Sequence, residues 1–212
     1  LLPENRMDQA RDAFSSMLAD KGMGQMYLVR ADRYIIIFLY SEARQEEKLI
    51  HDCAVFLSGQ LNEISRFFVS VGPVVSGMER AHISYMEAKE HLKQSFFHEY
   101  GFILDKDTVN VPFHPPNDVL LEFSMALAEK QEAQALKLAG QLYRSFVPSD
   151  VLGPSQVKDI YYRYLSKLDE HGMNNYISLW QKEGLNTESI WEGVMGCATL
   201  KELHDLLCAK VR

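Results

Sequence analysis

The period of apolar and polar positions changes along this chain, and the changes divide it. Over residues 4–20, Ala10, Phe14, Met17 and Leu18 recur at helical spacing and predict a helix, which Gly22-Met23-Gly24 breaks. Met26–Val29 and Tyr34–Tyr40 are short β-branched and aromatic runs. They predict two strands joined across the polar turn Arg30-Ala31-Asp32-Arg33. A second helix is predicted over 44–62, where Leu49, Ile50, Cys53, Phe56, Leu57 and Leu61 share one side. Phe67–Val71 reads as a buried strand, ended by Gly72-Pro73 because proline offers no N–H to a ladder. Ser76-Gly77-Met78-Glu79 has the form of a capping box, and Ala81, Tyr85, Ala88, Leu92 and Phe96 form the apolar stripe of the helix behind it. Gly101–Leu104 is a last short strand, closed by Asp105-Lys106-Asp107. The order αββαβαβ, with an antiparallel pair in the sheet and helices packed on it, predicts an α+β fold over 1–109.

Beyond this the strand signals vanish. Residues 110–117 hold three of the seven prolines, and 110–116 is predicted to be a linker. Asn117 can cap a helix over 118–129, and Ala135, Leu138, Ala139, Leu142 and Phe146 mark another over 131–146. Pro148 to Pro154 interrupts the pattern. Val157, Ile160, Tyr161, Tyr164, Leu165 and Leu168 then predict a helix over 155–170, stopped by His171-Gly172. Shorter helices are predicted at 174–183, 187–196 and 200–211, the last opened by a capping box from Thr199 to Glu202. Residues 117–212 therefore read as an all-helical domain.

Composition narrows the function classes. The chain has 212 residues, 47% hydrophobic and 24% charged, enough apolar material for real cores. Its formal net charge of −7 argues against gripping nucleic acid unaided, since phosphate neutralisation needs clustered Lys and Arg. Cys53, Cys197 and Cys208 lack CxxC spacing; this sparse, odd set is expected to stay as buried free thiols in a reducing, cytoplasmic setting. No apolar run approaches the roughly 18–20 residues that span a bilayer. Leu1-Leu2-Pro3 brings neither an initiator Met nor a signal-peptide layout, so the chain is expected to be an excised piece of a longer protein.

Residues 67–97 combine the strand, the Gly72-Pro73 break, the capped helix start and the core Ser84-Tyr85-x-Glu87-Ala88. This block resembles the strand–loop–helix signature of the degenerate GGDEF-like domain in AraC-family response regulators of the YesN type. The resemblance implies a degenerate, nucleotide-cyclase-like sheet-and-helix domain over 1–109, followed by the helical region over 117–212. In active cyclases of the wider family the strand-joining hairpin carries Gly-Gly-[Asp/Glu]-Glu-Phe. Its glycines let backbone approach the nucleotide, and its acidic residues hold Mg²⁺ against the phosphates. Here the matching stretch is Arg30-Ala31-Asp32-Arg33-Tyr34. Both glycines are gone, Arg33 would repel the metal, and Asp32 alone is turn chemistry. A first-strand aspartate is missing or lost in Leu1-Leu2, and Ser84-Tyr85 replaces the Ala-Asp pair of active cyclases.

No catalytic, cofactor-binding or metal-ligating residue, and no cofactor, is therefore expected. His91 and His98 are seven positions apart, about 10 Å along a helix axis, too far for one ion, and His114 lies downstream. There is no Gly-x-Ser-x-Gly, Walker loop or dinucleotide loop, and the acidic run Glu42 to Glu47 suits a solvated helix start. The aromatics Tyr161, Tyr162, Tyr164, Tyr176, Trp180 and Trp191 are read mainly as core, with Tyr162 off the stripe.

The expected function is a non-catalytic signal-transmission region of a bacterial AraC-family transcription regulator. It would couple an N-terminal input to a C-terminal helix-turn-helix DNA-binding domain. The alternative is a small-molecule or nucleotide-sensing module without catalysis. Expected partners are a second copy in a homodimer, an upstream receiver or sensor domain, and DNA only through a domain outside residues 1–212; no membrane contact is expected.

Overall fold

The computed structural model of the chain describes residues 24–30, 33–38, 66–106, 119–146, 153–174 and 189–212, with single positions at 12, 15, 16, 52, 55, 56 and 59. The chain forms two compact units, residues 1–92 with 100–106 and residues 93–99 with 107–212.

In the first unit, β1 (Gly24–Arg30) and β2 (Arg33–Phe38) form the predicted antiparallel hairpin. Met26 faces Ile36, and Arg30 faces Arg33 where the hairpin turns. The register shifts between Leu28 and Arg30, as a bulge does. Asp12, Ser15 and Ser16 are helical, as are Asp52, Val55, Phe56 and Gly59, in line with the two predicted helices at those positions. Phe56, assigned by spacing to the apolar side, is 40% exposed.

β3 (Val69–Ser70) pairs in parallel with β4 (Ile103–Leu104). Among the described residues the strands thus make two separate two-stranded sheets. The short β3–β4 ladder is lengthened at its ends: the Gly101 N–H donates to the Phe67 carbonyl at 2.9 Å, and the Val71 N–H to that of Leu104 at 2.8 Å. Parallel strands need a crossover, and α1 (Ala81–Leu92) supplies it. Phe68 packs on Tyr100 at a centroid distance of 5.1 Å, and the Arg66 guanidinium lies 5.5 Å over the same ring. Leu104 is fully buried. Strands and helices together give the α+β character expected of the chain.

All described elements of the second unit are helical. They are a 3₁₀ stretch (Lys93–Phe97), α2 (Val119–Ala128), α3 (Glu132–Ser145), α4 (Pro154–Asn174), α5 (Ile190–Gly196) and α6 (Leu200–Val211). The predicted stripes meet in one core. Ala135, Leu138, Ala139 and Leu142 of α3 pack with Val157, Tyr161, Tyr164, Leu165 and Leu168 of α4 and Leu200, Leu203 and Leu207 of α6. Thr199 Oγ1 accepts from the Glu202 N–H, and the Glu202 carboxylate accepts from the Thr199 N–H, so the predicted capping box forms. Ser189 and Glu192 build a second box at α5.

α4 runs past the predicted stop at His171-Gly172. Gly172 is buried, so packing outweighs its helix penalty of about 1 kcal/mol. Pro154 opens α4, where its missing N–H and fixed φ suit the first turn. The predicted linker 110–116 lies outside the described residues, and among the described residues no helix is long and apolar enough to cross a membrane.

The α2–α3 connection turns through Lys130 at φ 55. The Gln131 N–H reaches the Ala126 carbonyl at 2.8 Å and the Lys130 N–H reaches Leu127 at 3.0 Å, the Schellman pattern. A left-handed lysine is strained by its Cβ. Lys130→Gly is therefore expected to stabilise the protein by about 1 kcal/mol, read as a higher urea midpoint at unchanged m.

Candidate functional site

The signature block folds as a clamp between the β3 exit and α1. The loop passes so close to the helix that a Cβ on Gly72 would overlap the Ser84 carbonyl oxygen and lie 2.7 Å from the Ser84 carbonyl carbon. Glycine here is required by that approach, with no side chain able to fit between loop and helix. Farther along α1, His91 Nδ1 lies 2.9 Å from the Val71 carbonyl. A carbonyl only accepts, so Nδ1 carries the proton and donates. His91 thus ties α1 to Val71, and Gly72, the next residue, lets the loop come close to Ser84.

The predicted stripe of α1 keeps its inward side at Ala81, Ala88, Leu92 and Phe96, and only Tyr85 departs from it. Ala81, Ser84, Ala88, His91 and Leu92 are half-buried, while Ile83, Tyr85 and Met86 are exposed, Tyr85 by 37%. The stripe reading placed Tyr85 inward because it counted only apolar residues. Two polar residues, Ser84 and His91, share the inward side, and His91 gives the strand exit a hydrogen-bonding neighbour. The core Ser84-Tyr85-x-Glu87-Ala88 splits accordingly, Ser84 and Ala88 inward, Tyr85 and Glu87 outward.

The predicted capping box at Ser76 does not form. A 3₁₀ turn (Met78–Arg80) precedes α1, its N-cap is Gly77, and no side chain caps it. Gly77 adopts φ 85 and ψ 145, a backbone open to glycine, and this moves the helix start one residue past the place a Ser76 cap requires. His82 Nδ1 donates to the Glu79 carbonyl at 2.8 Å on the exposed side.

At the hairpin, Arg30 and Arg33 are direct cross-strand partners, flanking the two residues Ala31 and Asp32 that lie outside the described set. Leu1 and Leu2 also lie outside the described residues. His91 is engaged with Val71 in the first unit, His98 belongs to the second unit, and His114 is outside the described residues. Among the described residues no three His, Cys, Asp or Glu side chains gather as a metal would need.

Cys197 and Cys208 are half-buried free thiols, and Cys53 lies outside the described residues. Burial pushes both thiols above their ordinary pKa, with Glu202 adding to the rise at Cys197 and Lys158 opposing it. Such thiols are poor nucleophiles. The Cys197 thiol donates to the Gly193 carbonyl at 3.3 Å, and Cys208 Sγ lies 3.5 Å from His204 Nε2.

Among the aromatics, Tyr161 and Tyr164 are buried, and Phe123 lies 5.1 Å from Tyr164. Tyr162 is exposed and meets Trp191 edge-on at 6.0 Å; Trp191, grouped with the core by the sequence, is 50% exposed. Tyr176 and Trp180 are outside the described residues. The Tyr161 hydroxyl finds no hydrogen-bond partner among the described residues, and burial holds its pKa far above the usual phenol range.

His204 stacks on Tyr143 at 4.6 Å and 24°. Burial lowers its pKa from the ordinary 6.5, Asp205 opposing the shift and Arg144 adding to it. The folded state thus protonates at lower pH than the unfolded one. This contribution to stability is complete above pH 6.5 and declines as pH falls through that value. The urea midpoint is expected to be lower at about pH 5.5 than at about pH 7.5, and His204→Phe to shrink that difference.

No curated protein and no solved structure matches the chain. Residues 2–93 match the family model described as a GGDEF-like domain. That match ends where the first unit passes from α1 into the 3₁₀ stretch, and it contains the hairpin, the Gly72–Ser84 clamp and the His91 tie. A GGDEF-like domain is what residues 2–93 hold.

Proposed function

We propose that this chain is the non-catalytic signal-transmission region of a bacterial AraC-family transcription regulator of the YesN type. The observation that carries the non-catalytic part of the reading is the hairpin of the GGDEF-like domain. Arg30 and Arg33 pair directly across it, around Ala31-Asp32, where metal-dependent nucleotide chemistry calls for paired glycines and successive acidic residues. Two arginines in register repel a divalent cation. Downstream, Ser84 lies against Gly72 and His91 donates to Val71, so these two polar residues serve internal packing, while Tyr85 and Glu87 face outward.

In this reading the region works in the cytoplasm. It passes the state of an upstream receiver or sensor domain to a separate helix-turn-helix domain, with a second copy as partner in a dimer. The net charge of −7 supports leaving DNA contact to that other domain.

Incubation with GTP and Mg²⁺ tests the non-catalytic part, with pyrophosphate release followed. No release above a protein-free control is expected, and release that Mg²⁺ removal abolishes would overturn the reading. Titrating GTP and cyclic dinucleotides by calorimetry separates the alternative. Flat heats agree with transmission, whereas saturable binding without turnover would favour a nucleotide-sensing module.

A further inference from the structure

We propose that residues 93–99 couple the GGDEF-like unit to the last helix, α6. The chain crosses between its two units in an unusual order. It leaves the first unit at the end of α1, gives residues 93–99 to the second, returns for 100–106 with β4, and leaves again. This short excursion is therefore tethered at both ends to elements of the GGDEF-like unit, α1 on one side and the β4 segment on the other. A displacement of either element pulls on it directly.

Within the second unit the excursion is anchored. Phe96 is 4% exposed and belongs to the helical core. Phe97 meets it edge-on at 5.3 Å and packs against the same core. The Lys158 amine of α4 lies 5.9 Å from the Phe96 ring and donates to the Met195 carbonyl at the end of α5. On the outer side the Glu99 carboxylate accepts from the Lys201 amine in the first turn of α6 at 3.0 Å. That pair is exposed and adds orientation more than strength; Phe96 is the anchor. Leu203 and Leu207 fix α6 in the core that Phe96 enters. Residues 93–99 are thus joined to α1 by the chain itself and to α6 by packing within the second unit.

The inference deepens the transmission reading and relies on it only for its biological use, because coupling is measurable on this chain alone. A shared intermediary becomes an allosteric connection only if a change at one end alters the other, and such coupling is reciprocal. Amide hydrogen exchange reads both ends. His91→Ala removes the tie between α1 and Val71, at a distance from α6 along the chain. The proposal predicts exchange about fivefold faster at residues 200–211 as well as in α1, with α2 unchanged. In a Phe96→Ala background the effect of His91→Ala on α6 should vanish while that on α1 persists. In the reverse direction, Lys201→Ala should alter exchange at residues 89–92 and 100–106.

If Phe96→Ala does not fold, Phe96→Leu with Glu99→Gln serves the same purpose. Two outcomes overturn the proposal: α1 accelerating with α6 untouched, or equal acceleration in α2, α3 and α6, which signals global unfolding. Either leaves the transmission reading standing, since that depends on the domains joined to the chain.

Discussion

Replacing Gly72 with alanine is expected to destabilise the GGDEF-like unit by about 3 kcal/mol, near the upper end for overpacking. The added methyl would meet the Ser84 carbonyl, a backbone group in mid-helix that cannot rotate aside. α1 must translate, and the His91–Val71 bond at 2.9 Å stretches with it. Denaturant unfolding with a probe in the first unit reads the loss. Gly59 makes the control, because none of the described residues lies within 4 Å of a Cβ there and the same substitution should change stability by less than about 1 kcal/mol. Equal effects at the two glycines would show that the loop does not approach the helix as closely as described.

Phe123→Ala should cost the second unit about 4 kcal/mol, the usual range for deleting a buried phenyl ring. Phe123 is fully buried beside Tyr164. Leu121, two residues earlier on α2, is 66% exposed, and Leu121→Ala should shift stability by no more than about 0.5 kcal/mol. The contrast matters because α2 reads Val-Leu-Leu-Glu-Phe-Ser-Met-Ala-Leu-Ala, apolar nearly all round. Comparable losses at both positions would mean that the exposed face of α2 is also covered.

These two sites show where sequence reasoning succeeds and where it stops. The inward faces of α3 and α4 were legible, because their apolar residues form a single stripe bordered by charge. For α2 the pattern has no polar side, so a helix is predicted but its orientation is not. In α1 the apolar count found the inward side at Ala81, Ala88, Leu92 and Phe96 but put Tyr85 there too and missed Ser84 and His91, which share that side. The reason lies in Val71 and Gly72, far from His91 in sequence, and no local rule connects them. Local chemistry alone did better: the hairpin around Ala31-Asp32 and the Thr199–Glu202 capping box follow from adjacent residues. The Ser76 box failed for an equally local reason, the positive φ of Gly77. The signature was visible as a motif, whereas its role as a clamp needed the three-dimensional approach of loop to helix. The docking of 93–99 with the helical unit was hidden as well, since helical spacing carries Phe96 smoothly on from α1.

In the transmission reading, this region stands between an input and a DNA-binding output. Reading the coding sequence on both sides of residues 1–212 tests it most directly. The account predicts a basic stretch of about 100 residues with two helix-turn-helix patterns soon after Arg212, and a receiver or sensor domain upstream. A stop codon directly after Arg212 would contradict it and leave a free-standing binding or scaffolding protein as the better description.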